Sequence, residues 1–402
     1  MAKNTKPAIR FKGFTDAWEQ RKLSGIYQNI GNAFVGTATP YYVEDGHFYL
    51  ESNNIKDGQI NRNSEIFIND EFYEKQKDKW LHTGDMVMVQ SGHVGHAAVI
   101  PEELDNSAAH ALIMFRNPKE KVNPYFLNYQ YQTNKAKKKI EGITTGNTIK
   151  HILASDMQEF VVDVPDFEEQ EIIGAYFQQL DNLITLHQRK YDSLVNVKKA
   201  MLEKMFPKNG ETVPEIRFKG FTDAWEQRKL GEICEKITMK NTNMDVTETF
   251  TNSAEFGIIS QRDFFDHDIA KQDKIDGYYI VHPEDFVYNP RISVTAPVGP
   301  INRNKLGRCG VMSPLYSVFR PNGMDNTFLE QFFKSSYWHS FMRLNGDSGA
   351  RSDRFSIKDS VFFDMPIPCP NLQEQESVGR FLYSIDNLIT LHQRKQFLKV
   401  RR

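Results

Sequence analysis

Cysteine is scarce in this chain of 402 residues, which contains three widely spaced cysteines, Cys234, Cys309 and Cys369. An odd number of distant cysteines excludes a disulfide framework and a Cys-x-x-Cys zinc site, and it favours a reducing compartment. No stretch approaches the roughly 20 apolar residues that cross a bilayer, and no apolar core of a signal peptide follows the first residues. We therefore expect a cytoplasmic protein without a membrane segment.

An excess of charge of either sign is also missing. The formal net charge is −2, so a polyanionic partner would have to be bound by local basic patches. Hydrophobic residues make up 40% and charged residues 25% of the chain, which is typical of a globular protein. The length predicts roughly two to four domains.

The signatures of enzymes are missing as well. The chain has no GxxxxGK[ST] phosphate-binding loop. Asn289-Pro290-Arg291-Ile292 faintly resembles the Asn-Pro-Pro-aromatic motif of amino-methyltransferases but lacks its second proline and its aromatic ring. His93, His96 and His110 have no Asp, Glu or Cys that would complete a metal site, so we interpret them as polar loop residues. We predict no catalysis, no metal and no cofactor in this chain.

What the chain does contain is a tandem duplication. Ile9–Leu23 and Ile216–Leu230 share the same 15 letters, IRFKGFTDAWEQRKL, at an offset of 207. Asp181–Lys190 and Asp386–Lys395 share DNLITLHQRK at an offset of 205. This period is too long for a solenoid, whose units have about 20 to 50 residues. Between these blocks, residues 24–150 and 231–355 have little identity, which indicates a common scaffold carrying two surfaces with the same kind of task on different targets.

The segment that contains the second block, DNLITLHQRK, predicts a long helix in each copy of the repeat. Apolar residues alternate at spacings of four and three from Glu168 onward, which predicts a coiled-coil helix over 168–206 of about 58 Å. The predicted seam comprises Ile173, Phe177, Leu180, Ile184, Tyr191 and Leu194, and in the second copy Leu382, Ile385 and Ile389. Such a helix is also compatible with an ordinary packed bundle. Its duplication favours an antiparallel pair that acts as a spacer.

The second helix is the shorter one, because the chain ends at Arg402. We therefore expect the far half of the first helix, Tyr191 to Met205, to lack a partner within the chain and to bind another protein or fray.

These observations predict an α+β fold with a pseudo-twofold internal repeat. Two mixed domains, 1–167 and 211–371, each precede a helix, 168–210 and 372–402. Strand-like runs and turn signals fill both divergent regions. Helices are expected at Pro124–Gln132 and Asn326–Asn345.

Basic and polar residues cluster on loops at matching places of the two domains. Lys135, Lys137, Lys138 and Lys139 precede the glycine-containing loop 142–148, and Arg343, Arg351 and Arg354 surround the loop 346–349. Lysine and arginine neutralise phosphates, and Arg, Asn and Gln can read base edges with two hydrogen bonds. The lysine run alone is also compatible with a solvated helix face. The matching loop of the second domain is also basic, with arginines in place of lysines. This recurrence favours DNA as the ligand.

The whole arrangement resembles the specificity subunit of type I restriction–modification systems. The resemblance rests on the Ile9–Leu23 block with its second copy, on Pro165 with Gln170-Glu171 and Pro370 with Gln375-Glu376, and on Leu180–Ile184. It covers nearly the whole chain. It implies two target-recognition domains that each read half of a bipartite, non-palindromic site in double-stranded DNA, with the paired helices setting the gap.

The resemblance also implies partners. Two modification subunits, which carry S-adenosylmethionine, would bind the repeated helices, and two restriction subunits, which use ATP and Mg, would complete the nuclease. The chain itself would bind no cofactor and catalyse nothing. The family's strand and loop positions point to these candidate DNA-binding residues: Asn53, Asn54, Gln90, Ser91, Lys137, Lys138, Asn147, Thr148, Lys150, Gln261, Arg262, Asn289, Arg291, Arg343, Arg351, Ser352 and Arg354.

Two other functions compete with this interpretation. One is a coiled-coil scaffold that joins two ligand-binding domains without DNA, and the other is a self-contained methyltransferase or nuclease. Steep salt dependence of binding would separate DNA recognition from a protein scaffold.

Overall fold

The computed structural model describes residues 6–146, 150–208, 210–265, 275–347 and 353–400, with side chains as far as Gln393. The chain forms two compact units, Met1–Thr185 and Leu186–Arg402. Both units mix helices and strands, which confirms the predicted α+β class and its repeat.

The first unit contains a main antiparallel sheet with strand order β2-β11-β8-β9, a smaller sheet with order β10-β4-β7-β3, and the pairs β1-β12 and β5-β6. Its strands are β1 (Glu19–Lys22), β2 (Tyr27–Asn32), β3 (Tyr42–Val43), β4 (His47–Leu50), β5 (Ile55–Lys56), β6 (Gln59–Ile60), β7 (Phe67–Ile68), β8 (Met86–Val89), β9 (Ala97–Val99), β10 (Ala108–Ala109), β11 (Leu112–Pro118) and β12 (Val161–Val164). Its helices are α1 (Leu23–Ile26), α2 (Asp70–Glu74), α3 (Pro124–Tyr131), α4 (Asn134–Ile143) and α5 (Ala154–Glu159), and α6 (Phe167–Lys204) begins in it.

The second unit repeats the main sheet as β14-β21-β18-β19 and the terminal pair as β13-β22, and it adds the hairpin β15-β16 and the pair β17-β20. Its strands are β13 (Glu226–Lys229), β14 (Cys234–Ile237), β15 (Phe250–Ser253), β16 (Gly257–Ser260), β17 (Tyr279–Val281), β18 (Phe286–Tyr288), β19 (Ile301–Arg303), β20 (Gly310–Met312), β21 (Ser317–Pro321) and β22 (Pro366–Cys369). Its helices are α7 (Leu230–Ile233), α8 (Gln261–Phe265), α9 (Asn326–Lys334), α10 (Tyr337–Asn345), α11 (Asp359–Phe362) and α12 (Leu372–Val400).

The central strands of the two main sheets are buried on both faces. Alternate residues of a strand point to opposite faces, so Met86 and Met88 of β8 enter one core of the first unit and Val87 and Val89 enter another. In β18, Phe286 and Tyr288 enter one core of the second unit and Val287 the other. Because β8 and β18 are covered on both sides, the loops that follow them start from rigid positions.

The helical structure expected over Asn326–Asn345 consists of two helices, α9 and α10. Ser335 has an extended backbone (φ −80°, ψ 172°), and its hydroxyl donates to the carbonyl oxygen of Phe332 at 2.6 Å. Serine competes with the helix in this way for backbone hydrogen bonds. The predicted helical structure is confirmed, and the break at Ser335 is a local stop that apolar spacing does not detect.

In each unit an ion pair with a buried carboxylate connects the Ile9–Leu23 block, or its second copy, to the start of the long helix that follows. The guanidinium of Arg10 donates to Glu169 through Nε at 2.7 Å and through Nη2 at 2.6 Å. Arg217 makes the same two bonds to Glu374, at 2.7 and 2.8 Å. Glu169 and Glu374 are almost completely buried. Each pair therefore attaches a copy of the first repeated block to the start of the next long helix, α6 or α12.

The next residue of each helix adds a second attachment. The side chain of Gln170 accepts a hydrogen bond from the backbone of Asn123 at 3.0 Å and donates to the carbonyl of Pro165 at 2.9 Å. Gln375 does the same with Asp325 and Pro370, at 2.9 and 2.8 Å. The glutamines of the repeat thus attach the start of α3 to α6 and the start of α9 to α12.

The far half of α6 belongs to the second unit. Met205 and Phe206 are buried in its core, where the Phe206 ring lies 5.4 Å from that of Phe328 and 5.7 Å from that of Phe332. Met201 and Leu202 pack against the same core. The prediction that Tyr191 to Met205 would lack a partner was wrong, because it considered only the second helix and not the domain between the helices.

Within the second unit, this half of α6 also contacts α12. His187 Nδ1 lies 3.0 Å from His392 Nδ1, the Tyr191 hydroxyl accepts from Gln393 at 3.0 Å, and Lys198 pairs with Asp386. From the first of these contacts to the last, the residue number rises from 187 to 198 on α6 and falls from 392 to 386 on α12. The two segments therefore run antiparallel.

A half-buried carboxylate anchors this pairing. Burial would raise the pKa of Asp386, but Lys334 and Lys198 hold it below its usual value. Lys198 contacts Oδ1 of Asp386, and Oδ2 accepts a hydrogen bond from the Gln331 side chain at 2.9 Å. One carboxylate therefore holds both α6 and α9.

The predicted seam residues differ in burial. Leu382 and Ile385 are buried in the second unit and Ile389 is partly buried. In the first unit Ile173 packs against the core, whereas Leu180 and Ile184 are half-buried and Phe177 is 42% exposed, with its ring 5.2 Å from that of Tyr129. Tyr191 and Leu194 are half-buried.

We predict that Glu169→Ala destabilises the first unit by about 3 kcal/mol, because it leaves the largely buried Arg10 guanidinium without its carboxylate. Denaturant unfolding of the full chain measures the change. Glu171→Ala, an exposed position in the same helical turn, is the matched control. A loss for Glu169→Ala no larger than that of the control would contradict the assignment.

Candidate nucleic-acid interface

Three segments of the first unit meet at the end of β8. The amide of Ile152 donates to the carbonyl of Gln90 at 3.0 Å, and the amide of Gly92 donates to that of Lys150 at 3.1 Å. Thr145 and His151 exchange two backbone hydrogen bonds of 2.9 and 2.8 Å. We call residues 90–92, 144–146 and 150–152 the first loop cluster.

The second unit holds three segments together at the end of β18 with the same pattern. The amide of Phe355 donates to the carbonyl of Pro290 at 2.7 Å, and the amide of Ile292 donates to that of Asp353 at 3.0 Å. Asp347 and Ser356 exchange hydrogen bonds of 3.0 and 2.7 Å. We call residues 290–292, 346–347 and 353–356 the second loop cluster.

The two loop clusters share a backbone plan and differ in side chains. Ser91 forms an isolated β-bridge with His151 in the first, and Arg291 forms one with Arg354 in the second. The chain therefore presents unlike polar groups from equivalent positions on equivalent frames. This is what divergent inserts between identical blocks predicted.

Glycines without room for a side chain fix the hairpins beside these clusters. Gly299, between β18 and β19, has φ +85°, and a Cβ there would lie 2.1 Å from the carbonyl oxygen of Asn289. Gly95, between β8 and β9, has φ +87°, and its Cβ would lie 2.8 Å from Ile140. Glycine is the residue that adopts this conformation without cost.

The lysine run on α4 is divided between two faces of the helix. Lys135 pairs with Asp163 at 2.5 Å, and Lys139 donates to the carbonyl of Val161 at 3.2 Å, so both face β12. Lys137 lines a concavity beside the first loop cluster together with Lys150, and Lys138 is exposed. Only part of the run is therefore directed towards the predicted interface.

The structure uses several of the predicted residues to build loops. Asn54 is 2% exposed and donates to the carbonyls of Asn61 and Ser64 at 3.1 and 2.8 Å, while its neighbour Asn53 is exposed. The Asn54 amide thus serves its own loop rather than a ligand.

In the second unit, Asn289 donates to the carbonyl of Asn252 at 2.8 Å and accepts from the amide of Arg291 at 2.9 Å. Gln261 donates to the carbonyl of Phe250 at 3.3 Å, and Arg262 follows it on the exposed side of α8. Arg343 is exposed on α10. Asn289 is therefore bonded directly to Arg291 of the second loop cluster.

Four predicted residues lie outside the described part of the chain, namely Asn147, Thr148, Arg351 and Ser352. His93 and His96, interpreted from sequence as polar loop residues, line the same concavity as Lys137 and Lys150. Burial lowers the pKa of His96. The signal that could have indicated their place is the Gly-His-x-Gly-His spacing directly after β8.

Within the described ranges, no group of three or more His, Cys, Asp or Glu residues could hold a metal ion. None of the helices in those ranges is both long and apolar enough to span a bilayer. Burial raises the pKa of the Cys234 thiol to about 12 and that of Cys369 to about 11, so neither is an activated nucleophile.

The fold and the loop clusters define a class of protein: a tandem pair of recognition domains with one frame and two different sets of loops. The family described as "Type I restriction modification DNA specificity domain" matches twice, over residues 16–196 and 222–398. The chain belongs to this family and is a type I restriction–modification specificity subunit. Specificity subunits of this family are not enzymes.

Relatives in other organisms agree with this assignment. The chain is similar to the putative type I restriction enzyme MjaX specificity subunit of Methanocaldococcus jannaschii, with 25% identity over 94% of this chain and 89% of that protein. It is also similar to the MjaVIII specificity subunit of the same organism, with 22% identity over 94% and 88%. Its fold is similar to the S subunit from M. genitalium, with a TM-score of 0.55, 12% identity, and coverage of 98% and 96%.

We predict that Gly299→Ala destabilises the second unit by at least about 2 kcal/mol and disturbs Asn289 and Arg291, because the new Cβ collides with backbone and occupies a strained conformation. Thermal unfolding measures the effect. Gly277→Ala, where nothing lies within 4 Å of the new Cβ, is the control. Equal melting temperatures of the two variants would show that the hairpin is not constrained as described.

Proposed function

We propose that this chain is the DNA-recognition subunit of its restriction–modification complex and that each unit reads one half of a bipartite, non-palindromic site. The observation that carries the proposal is the pair of loop clusters, in which the same backbone hydrogen bonds hold different polar side chains. A protein that reads two different half-sites needs a constant frame and variable contacts.

The charges of the clusters support a DNA ligand. Lys137 and Lys150 are exposed at the first loop cluster, and Arg291 is exposed at the second. Arg291 Nη2 lies 3.8 Å from Asp353, and both side chains are more than half exposed. Such an exposed ion pair contributes little to the stability of the protein. The guanidinium can therefore exchange this carboxylate for a phosphate or a base edge at a small cost in free energy.

The repeated helices support two identical protein partners. Leu183 and Leu388 occupy the same position of the DNLITLHQRK block and are 52% and 44% exposed, and Leu186 and Leu391 are 61% and 50% exposed. Large apolar side chains exposed at the same place in both copies are typical of interaction surfaces. We assign them to two modification subunits.

The remaining expectations belong to the same proposal. The modification subunits would carry S-adenosylmethionine, two restriction subunits would use ATP and Mg, and the chain would bind no cofactor of its own in a cytoplasmic complex. The division into recognition domains 1–167 and 211–371 and helices 168–210 and 372–402 is part of it.

The test of the function is a map of methylated adenines in cells that express the chain with its modification subunits. We expect a two-part site with unlike halves and a fixed spacer. A single contiguous palindrome would overturn the proposal, and binding insensitive to salt would favour the protein scaffold instead.

Recognition should be modular between the two units. Arg354→Ala should weaken binding to one half-site by roughly 10-fold to 100-fold, and Lys137→Ala should weaken only the other half-site, more modestly. Competition between duplexes with one scrambled half-site measures this. Equal loss at both half-sites for either variant would contradict the separate tasks of the units.

The number of bound modification subunits should fall by one with each substitution in the repeated helices. Leu186→Asp or Leu391→Asp should each remove one of two bound modification subunits, because a charge replaces an apolar contact. Native mass spectrometry counts the subunits. Leu315→Asp, at a residue that is 59% exposed and lies outside the helices, is the control. Two subunits bound to the double variant would contradict the surface assignment.

A further inference from the structure

We propose that the first unit has a docking groove for the end of an amphipathic helix that belongs to a separate polypeptide. The groove is the counterpart of the surface that the end of α6 covers in the second unit. We call it the first-unit groove and define it by Ile9, Phe11, Trp18, Tyr176, Phe177 and Asp181. The inference goes beyond DNA recognition and does not depend on it.

In the second unit, the last turns of α6 lie on the surface that the repeated block forms. Met201 and Leu202 pack against the same core as Ile216 of the block. The amide of Ile216 donates to the carbonyl of Lys204 at 2.9 Å. The helix is followed by Phe206, which is 1% exposed. A helix end therefore covers the second copy of the block.

The first unit has the same side chains at the equivalent positions of the block, but they are more exposed. Ile9 is 92% exposed, whereas Ile216 is half-buried. Trp18 is half-buried, whereas Trp225 is 2% exposed. Because the amino acids are identical, the difference comes from what covers them. Large apolar side chains that are exposed side by side are typical of interaction surfaces.

The start of α6 supplies the other wall of the first-unit groove. Tyr176 is 47% and Phe177 is 42% exposed, whereas Leu382, at the position of Phe177 in the second copy, is buried. The rings of Phe11 and Tyr176 meet edge to face at 5.5 Å, as the equivalent rings of the second unit do at 5.7 Å. The groove therefore has the same walls as the covered surface of the second unit.

One end of the groove suits an aromatic ring. The rings of Trp18 and Phe126 lie 5.5 Å apart. Their counterparts Trp225 and Phe328 lie 5.7 Å apart, and both pack against Phe206. Beside Trp18 the first unit has a cavity of about 290 Å³. Since a cavity of about 150 Å³ in a protein core already binds benzene, this one has room for a phenylalanine side chain.

A carboxylate on the groove fits a cation of the partner. In the second unit, Asp386 pairs with Lys198 of α6 and with Lys334. Asp181 occupies the same position of the first copy and is half-buried. It accepts from the Tyr129 hydroxyl at 2.8 Å, and no lysine or arginine among the described residues pairs with it. Such a carboxylate favours an ammonium group that arrives with a ligand.

These features define the chemistry of the partner. It is a helix end that carries a lysine, apolar residues one turn further on, and an aromatic residue eight positions after the lysine. The segment from Lys198 to Phe206 has this pattern, but it is already packed in the second unit. A second copy of the chain would have its own segment packed in the same way, which favours a different polypeptide. Because only one unit has the open groove, one partner binds per chain.

The experiment uses the full chain and, as the probe, a fluorescent peptide with the sequence of residues 191–208. Fluorescence anisotropy measures the affinity, and native mass spectrometry counts the bound peptides. We expect one peptide per chain and a Kd of roughly 10 to 100 μM, because a short peptide must become helical as it binds. Phe206→Ala in the peptide should weaken binding at least about tenfold, because the cavity then stays unfilled.

Two variants of the chain locate the bound peptide. Ile9→Asp should weaken binding roughly tenfold, because it places a charge on the apolar wall of the groove. The side chain of Ile9 is so exposed that this substitution does not disturb folding. Val35→Asp, at a residue of the same unit that is 59% exposed, is the matched control and should bind the peptide like the wild type.

A double-mutant cycle tests the charge contact. Asp181→Asn should weaken binding of the unmodified peptide roughly threefold to tenfold, because a hydrogen bond to a charged group is lost. It should leave the affinity for the Lys198→Gln peptide unchanged. An equal loss for both peptides would show that the lysine does not meet Asp181 and would overturn the assigned orientation of the helix.

Other outcomes also decide against the inference. No binding of the peptide at about 100 μM, or equal binding by Ile9→Asp and the wild type, would show that the groove is not a docking site. Binding only after deletion of residues 1–5 or 394–402 would show that the chain itself fills the groove. Self-association that Ile9→Asp abolishes would identify a second copy as the occupant. The methylation map tests DNA recognition separately from all of these.

Discussion

The rest of the structure depends on a buried ion pair that occurs once in each unit. Arg10 with Glu169, and Arg217 with Glu374, join a copy of the first repeated block to the long helix that follows it. A carboxylate without solvent is costly unless a partner satisfies both of its oxygens, and the two-pronged guanidinium does so. The pair therefore requires each copy of the Ile9–Leu23 block and the start of the following long helix to be correctly placed.

The closing helix of the first unit has a second task, because its far half is part of the core of the second unit. Phe206 fills the space between α9 and the Trp225 ring, and Lys198 meets Asp386 on α12. His187 and His392, which contact each other, occupy the same position of the repeated block. The two antiparallel helix segments therefore meet at equal positions of the repeated block.

The loop clusters show how one frame carries two specificities. In both units a strand buried on both faces ends at the cluster, one returning segment bonds to its end through backbone groups, and another segment bonds to that returning segment in the same way. Side chains are then free to change, as from Ser91 and His151 to Arg291 and Arg354. Family membership agrees with this arrangement, since a specificity subunit must vary its contacts while it keeps its scaffold.

The sequence by itself determined the duplication, the mixed fold, the long helices to within a few residues and the family, because repeats and apolar periodicity are carried by neighbouring residues. It also indicated the loops that meet at the ends of β8 and β18. Tertiary structure alone decided that Asn54 is turned inward, that Lys135 and Lys139 face away from Lys137, that the end of α6 is buried, and that His93 and His96 share a pocket with lysines. These outcomes depend on partners that are distant in sequence, such as Ser64, Asp163, Phe328 and Lys150, and local patterns contain no information about which distant segment will pack against them.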